Sequence, residues 1–275
     1  MLNAGTHIAE RFSRCGRLLW VLGLSLLMAA YTHAFEFGNE SLDYRVMYKW
    51  GFINKQAGHA TLSLRVDGDR YDTRLTAASE PWADNFFKVR DTLIGVVEAK
   101  DFRPLIYKKL SHEGGEHKHD IVRYSYQGNT VTGEATRKKW DKNYRLKVDE
   151  KHTMTATGLT VDMLSAFYFM RSRPYTSWDA GHTEHINIFS GKRKEILTII
   201  YHGKETIDID KKSYSTYHIS FTFTDPDKPR KQTSDPMDAW ISTDVQRIPL
   251  KLEGKLTVGK VQCYFTGFAH HPIHN

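Results

Sequence analysis

The chain of 275 residues carries 39 basic and 32 acidic residues, a net charge of +7 and a pI near 9.2. It holds two cysteines, and only Cys263 remains once the leader described below is removed, which excludes a scaffold held by internal disulfides. No Gly-x-Gly-x-x-Gly, Walker-type loop, His-Glu-x-x-His or paired-cysteine pattern occurs, so the standard nucleotide and zinc motifs are excluded and neither a cofactor nor a metal centre is expected.

Residues 1–34 read as a cleavable signal peptide. Arg11, Arg14 and Arg17 precede an apolar run from Leu18 to Ala30, and Thr32-His33-Ala34 offers small residues where a signal peptidase cuts. The run of 13 residues is shorter than the roughly 18 to 20 that a spanning helix needs, so no transmembrane segment is expected after cleavage. Cys15 lies upstream of the run and cannot carry a lipid anchor. The expected destination is the periplasm or the outer cell envelope. The mature part keeps 36 basic and 31 acidic residues, a net charge of +5. That excess suits an anionic partner such as lipopolysaccharide, an anionic glycan or a membrane surface, although solubility alone accounts for a charge this modest. An exported domain is not expected to meet nucleic acid. No Ser/Gly/Pro-rich linker interrupts residues 35–275, so one domain is expected.

Period-two alternation recurs along the mature chain. Tyr44, Val46, Tyr48 and Trp50 alternate with Arg45, Met47 and Lys49, and Ala60, Leu62, Leu64 and Val66 alternate with Thr61, Ser63 and Arg65. Such segments are half-buried strands. The same pattern marks Tyr71–Ala77, Tyr144–Val148, Tyr217–Phe223, Ile248–Leu252 and Val261–Phe265, with hairpin turns expected at Asp67-Gly68-Asp69, Gln127-Gly128-Asn129 and His202-Gly203-Lys204. Leu159–Arg171 is apolar almost all round, with Thr157 or Thr160 to cap it and Pro174 beyond its end, which predicts one buried helix near 159–172. Thr224–Pro236 reads as a long surface loop. The fold class expected is mostly β: a large curved antiparallel sheet, barrel-like or two packed sheets, wrapped around that helix.

Four segments carry a resemblance. Tyr48-x-Trp50-Gly51 with Gly58, then Phe86-Phe87-Lys88-Val89-x-Asp91, then Asp162-x-Leu164-Ser165-x-Phe167-Tyr168-x-x-Arg171, then Trp240-x-Ser242-x-Asp244-x-x-Arg247-x-Pro249-Leu250 resemble, in order and spacing, the bacterial exported family called domain of unknown function 3108. The resemblance covers almost the whole mature chain. It implies a bacterial envelope protein without an established activity.

The candidate ligand-binding residues are Asp162, Ser165 and Arg171 on the helix, and Trp240, Asp244 and Arg247 around the segment that follows the loop. Asp162 and Ser165, three apart, share a helix face and could line a pocket, or Asp162 and Arg171 could simply complement the helix dipole. Trp240 could stack on a sugar or acyl chain while Arg247 holds an anionic group, or Asp244 could close a turn. Ser165 lacks the Gly-x-Ser-x-Gly turn of an exposed nucleophile, so no catalytic residue is nominated. His112, His117 and His119 cluster with acidic residues but match no zinc spacing, and Gly114-Gly115 reads as a solvated hairpin loop. His182 and His185, and the tail His270-His271-Pro-Ile-His274, support no site either. Cys263 reads as a small buried hydrophobe.

With six Trp, 14 Tyr and 14 Phe, a concave sheet would hold a pocket with apolar walls and a few polar tips, though aromatic residues are also ordinary core formers. The leading expectation is a non-enzymatic binder of a lipid or glycan. The alternatives are an envelope hydrolase, a structural or protein-partner role, and an outer-membrane barrel, whose signature is also alternating segments.

Overall fold

The structure, a computed structural model, describes residues 35–269 apart from 192, with backbone alone at 229–232. The expected signal peptide and the histidine tail lie outside the described residues.

The first eight strands are β1 (Glu40–Trp50), β2 (Ile53–Asp67), β3 (Arg70–Ser79), β4 (Val89–Glu98), β5 (Pro104–Glu113), β6 (Glu116–Gln127), β7 (Thr130–Trp140) and β8 (Leu146–Thr157), of which the alternating segments named above mark β1, β2, β3 and the start of β8. A short β9 (Thr160–Asp162) leads to β10 (Thr183–Phe189), β11 (Lys194–Ile209), β12 (Lys212–Asp225), β13 (Lys228–Gln232), β14 (Met237–Ser242), β15 (Pro249–Lys255) and β16 (Lys260–Phe268). Helix α1 (Pro81–Phe87) joins β3 to β4, and helix α2 (Ser165–Arg171) lies between β9 and β10.

One sheet contains them all, in the order β8-β7-β6-β5-β4-β3-β2-β1-β16-β15-β14-β12-β11-β10-β9, with β13 paired to β12. The chain winds outward from β1 to β8, crosses through α2, and winds back so that β16 pairs with β1. Every pairing is antiparallel except that of β9 with β10. The two edges nearly meet: Asn187 Nδ2 on β10 donates to the carbonyls of Thr157 (3.0 Å) and Leu159 (3.1 Å), and Lys194 Nζ to that of Thr155 (3.3 Å). The sheet is therefore barrel-like and nearly closed.

Helix α2 fills the inside of this curve. Ala166, Phe169 and Met170 pack into a cluster with Ile186, Leu197 and Ile219 on one side, while Tyr168 stacks edge-on against Phe37 at 5.2 Å on the other. Leu164 lies under Gly95 of β4, where a Cβ would come within 3.6 Å of its methyl. Burying a side chain of this size from water contributes about 1.5–3 kcal/mol, so the helix ties the two halves of the sheet together.

Several expectations are corrected in detail. The helix starts at Ser165, because β-branched Thr160 and Val161 extend as β9 and the Asp162 carboxylate caps the backbone after them. Gly68 and Gly128 do turn hairpins, with φ of +60° and +59°, but Gly203 lies inside β11. There the register slips between Tyr201 and Gly203 in a β-bulge, and strand alternation resumes beyond it. Tyr144 belongs to a turn at φ +58°, held by Asp141 Oδ1, which accepts from the amides of Asn143 (2.9 Å) and Arg145 (3.0 Å). The Thr224–Pro236 loop contains β13, and helix α1 has no counterpart in the sequence reading.

Candidate ligand-binding site

Directly opposed residues share a sheet face, so the strand registers trace rows along the inner wall. One row runs Leu42, Leu62, Leu75 and Leu93 across β1 to β4, then continues as Lys109, Asp120, Arg137 and Glu150 across β5 to β8. The next runs Tyr44, Ala60, Ala77 and Asp91, then Ser111, Lys118 and Lys139. In these two rows the inner wall is apolar on β1 to β3 and charged or polar from Lys109 and Ser111 of β5 onward, with Leu93 and Asp91 of β4 at the change, whereas the row through Tyr107, Val122 and Ala135 stays largely apolar.

Towards the ends of β2 and β3 away from Leu64 and Tyr71, the inner positions become small, and a hollow of about 630 Å³ opens between Ala57, Gly58, Ala77 and Ser79. Its walls are Val46, Tyr48 and Trp50 of β1 and Val261 of β16, and Leu256 and Val258 complete one side. Helix α1 supplies Trp82, Phe86 and Phe87. At Gly58 a Cβ would sit 2.5 Å from the Ala78 carbonyl oxygen, so only glycine allows β2 and β3 to approach there.

The helix is anchored beside the hollow by its aromatic residues. Trp82 Nε1 donates to the Gln56 carbonyl at 2.7 Å, Lys55 Nζ lies 4.5 Å over the indole, and the Phe87 ring rests on Gly114, where a Cβ would come within 2.9 Å of it. Trp50 and Phe86 remain 55% and 82% exposed at the rim, and Phe52 beside them is fully exposed. The hydroxyl of Ser79 donates to Asp84 and accepts from the Val89 amide (2.9 Å) and Arg90 (3.0 Å), so it is a fixed structural group and not a nucleophile.

The charged wall begins at the edge of the hollow. Burial, and the Glu113 carboxylate beside it, raise Asp91 to about 6. Burial opposes ionisation of Glu113 too, but its hydrogen bond from Asp91 and its pairing with Lys109 (3.1 Å) outweigh that and hold it low. Lys118 reaches Glu113 at 3.3 Å, Lys139 reaches Glu116 at 2.7 Å, and Arg137 reaches Asp120 at 3.7 Å. Among the described residues, Asp91 Oδ1, Ser111 Oγ, Asp120 Oδ1 and the hydroxyls of Tyr107 and Tyr124 are buried without a hydrogen-bond partner. Buried polar atoms of this kind normally find one, in protein, water or ligand.

The six residues nominated from sequence lie elsewhere, and none lines the hollow. Asp162 Oδ1 accepts from the amides of Leu164 (2.7 Å) and Ser165 (2.8 Å), while Ser165 Oγ accepts from the Asp162 amide (2.9 Å), a reciprocal cap at the start of α2. Arg171 is fully buried; it pairs with Glu40 of β1 and donates to the carbonyls of Arg247 (2.8 Å) and Gln246 (3.0 Å). Asp244 Oδ1 accepts from Ser242 Oγ (3.0 Å) and from the amides of Gln246 (2.9 Å) and Arg247 (3.2 Å), closing the turn.

Trp240 and Arg247 occupy opposite faces of the sheet. The guanidinium of Arg247 lies 4.8 Å over Tyr217, an inner residue, whereas the Trp240 indole stacks on His218, the next residue along β12 and an outer one. Burial pushes the Cys263 thiol up to about 11, which keeps it protonated at neutral pH.

The model of the family described as "Protein of unknown function (DUF3108)" matches residues 43–266. The chain belongs to that family. No curated protein matches it. Among solved structures, it is similar to a beta-barrel-like protein of domain of unknown function DUF1849 from Brucella abortus, at 7% identity and a TM-score of 0.56, covering 87% of this chain and all of that one. The likeness is one of fold. The lipoprotein LppX of Mycobacterium tuberculosis aligns over 86% of this chain and 90% of its own at 13% identity, but with a TM-score of 0.26.

Tyr48, Trp50, Gly58, Phe86, Phe87 and Val89, all within the segments that resemble the family, line the hollow. The sequence therefore held a signal for the site. It was not legible as one, because the strand and helix that carry these residues meet only in the folded sheet.

Proposed function

We propose that this protein binds an amphiphile, seating an acyl chain in the apolar hollow and turning a polar head towards the charged wall of β5 to β8. The observation that carries the reading is the hollow itself. Its volume lies within the range of small-molecule sites, about 300–1,000 Å³, and its walls are almost wholly aliphatic and aromatic. The unpartnered polar atoms around Asp91 and Ser111 support a head group with donors and acceptors. The leader expected from the sequence supports export to a bacterial envelope, where such ligands are plentiful.

The competing readings find less support. A hydrolase would need a nucleophile beside a base; Ser79 is bonded to Asp84, Val89 and Arg90, and the bonds of Asp162, Ser165 and Asp244 described above include no histidine. A membrane barrel needs an outward apolar band, whereas the outward positions of β1 to β3 carry Asp43, Arg45, Lys49, Arg65, Asp72 and Arg74.

The test is native mass spectrometry of residues 35–275 purified from a periplasm, beside the variant Ala77→Trp, which fills the hollow from its floor. A lipid adduct on the wild type that is absent from a normally folded Ala77→Trp is the expected result. A wild type that stays bare after incubation with envelope lipids, or that takes up a glycan with no acyl chain, overturns the reading.

A further inference from the structure

On the outer face of β11, β12 and β14, remote in register from the rows that floor the hollow, two histidines and a carboxylate converge. The β-bulge in β11 brings them together. His202 and Gly203 together oppose His218 of β12, and Gly203, at φ +114°, has no side chain to occupy the space, so the His202 ring lies 4.7 Å from that of His218. Asp238 of β14 pairs in register with Ser220, two residues along β12, and its Oδ1 lies 2.9 Å from His218 Nε2. One ligating atom from each of His202, His218 and Asp238 falls within 4.8 Å of the others.

The surroundings of His218 have the form of a metal ligand's. Its Nδ1 lies 3.1 Å from Glu205 Oε2, and that carboxylate is itself fixed by Trp240 Nε1 at 2.8 Å. The Trp240 indole is stacked on the imidazole at 4.7 Å and 7°, which sets the ring's plane. A ligating histidine characteristically gives its second N–H to a carboxylate, which fixes the tautomer and turns the other nitrogen's lone pair outward. A protonated ring makes the 2.9 Å contact between His218 Nε2 and Asp238 Oδ1 as a hydrogen bond; a neutral ring that gives its proton to Glu205 leaves two acceptors there, which a cation lying beside both would match.

We propose that His202, His218 and Asp238 bind a divalent transition-metal ion of the zinc class, with Glu205 as the positioning carboxylate. Two imidazoles and one carboxylate suit zinc, nickel or copper and not calcium or magnesium, which prefer oxygen throughout. Three protein ligands leave a fourth position for Ser220 Oγ, now 2.7 Å from His202 Nε2, or for water. The ion would clip three neighbouring strands together on the face opposite the core. No sign of this is legible in the sequence, since His202, His218 and Asp238 match no metal-motif spacing and become neighbours only through strand pairing and the bulge.

Zinc is the probe for the test, added to chelator-stripped protein of residues 35–275 and measured by equilibrium dialysis with elemental analysis, alongside thermal melting. One zinc per chain is expected, lost in His202→Ala and in His218→Ala, weakened about tenfold or more in Glu205→Gln, and accompanied by a rise in melting temperature in the wild type alone. His202 is exposed, so His202→Ala keeps the fold, which circular dichroism verifies. Zinc uptake equal in the wild type and in a His202→Ala/His218→Ala double variant, or no uptake at all, overturns the proposal, because the first outcome assigns binding to other histidines.

Discussion

Asp162 is ionised at a cost. It is fully buried, Oδ1 is taken by the two amides at the head of α2, and Oδ2 has no hydrogen-bond partner among the described residues. Burial outweighs those two amide bonds and raises the carboxyl from 3.8 to about 6. The folded state therefore holds a proton that the unfolded chain releases, so between pH 3.8 and about 6 stability falls as pH rises, and above that range the full penalty stands. A shift of that size corresponds to about 3 kcal/mol. Asp162→Asn keeps a carbonyl oxygen for the cap and removes the ionisation. The variant is expected to be more stable than the wild type at pH 7.5, with the gain shrinking towards pH 4, as read from urea midpoints across pH; a variant less stable at every pH would mean that the negative charge itself holds the cap. From sequence, the spacing of three between Asp162 and Ser165 fitted both a shared helix face and a cap. The choice rests on where the helix begins, and that depends on β9 pairing with a strand more than twenty residues away.

Among the elements, hairpins joined by Gly68-Asp69 and Gly128-Asn129 were legible because turn glycines and flanking alternation are local. The bulge at Gly203 looks like a turn in the sequence for the same reason, since a hairpin turn and this bulge both place a glycine at positive φ. Helix α1 is not legible in the sequence because it is a single short segment with no buried residue and no apolar periodicity. Its construction has a dynamic consequence. Besides the amides of Ala83 and Asp84, which bond Glu80 at its start, α1 is held by the Asp84 carboxylate, bonded to Ser79 and Arg90, and by the aromatic contacts of Trp82 and Phe87 beside the hollow. Segments with so few buried contacts open at little free-energy cost. Hydrogen exchange of residues 81–87 is expected to be fast in the apo protein and to slow when lipid is bound, while β1 and β16 exchange slowly in both. Equal protection of α1 with and without lipid would place the ligand elsewhere.

Across the whole molecule, the first and last strands are paired in the middle of the sheet, so neither half has a complete inner wall until β16 is in place. A chain ending before Lys260 would leave β1 and β15 with bare edges and open the core around Leu42 and Tyr44. Such edges are templates for aggregation, so the truncated protein is expected in the insoluble fraction, and a soluble, cooperatively melting product would show that the two halves fold independently. The sequence by itself determined the mostly β class, the inner and outer faces of strands such as β1, β2, β3 and β12, the presence of a buried helix near Arg171 and the family, because alternation, turn chemistry and short motifs are written in adjacent residues. Only the tertiary structure decided that the sheet nearly closes, that small residues on β2 and β3 leave a hollow under α1, that Arg171 lies against Glu40 instead of a ligand, and that His202, His218 and Asp238 meet. Each of these depends on register between strands distant in the chain, and register is set by the packing of the whole inner face, which no local pattern encodes.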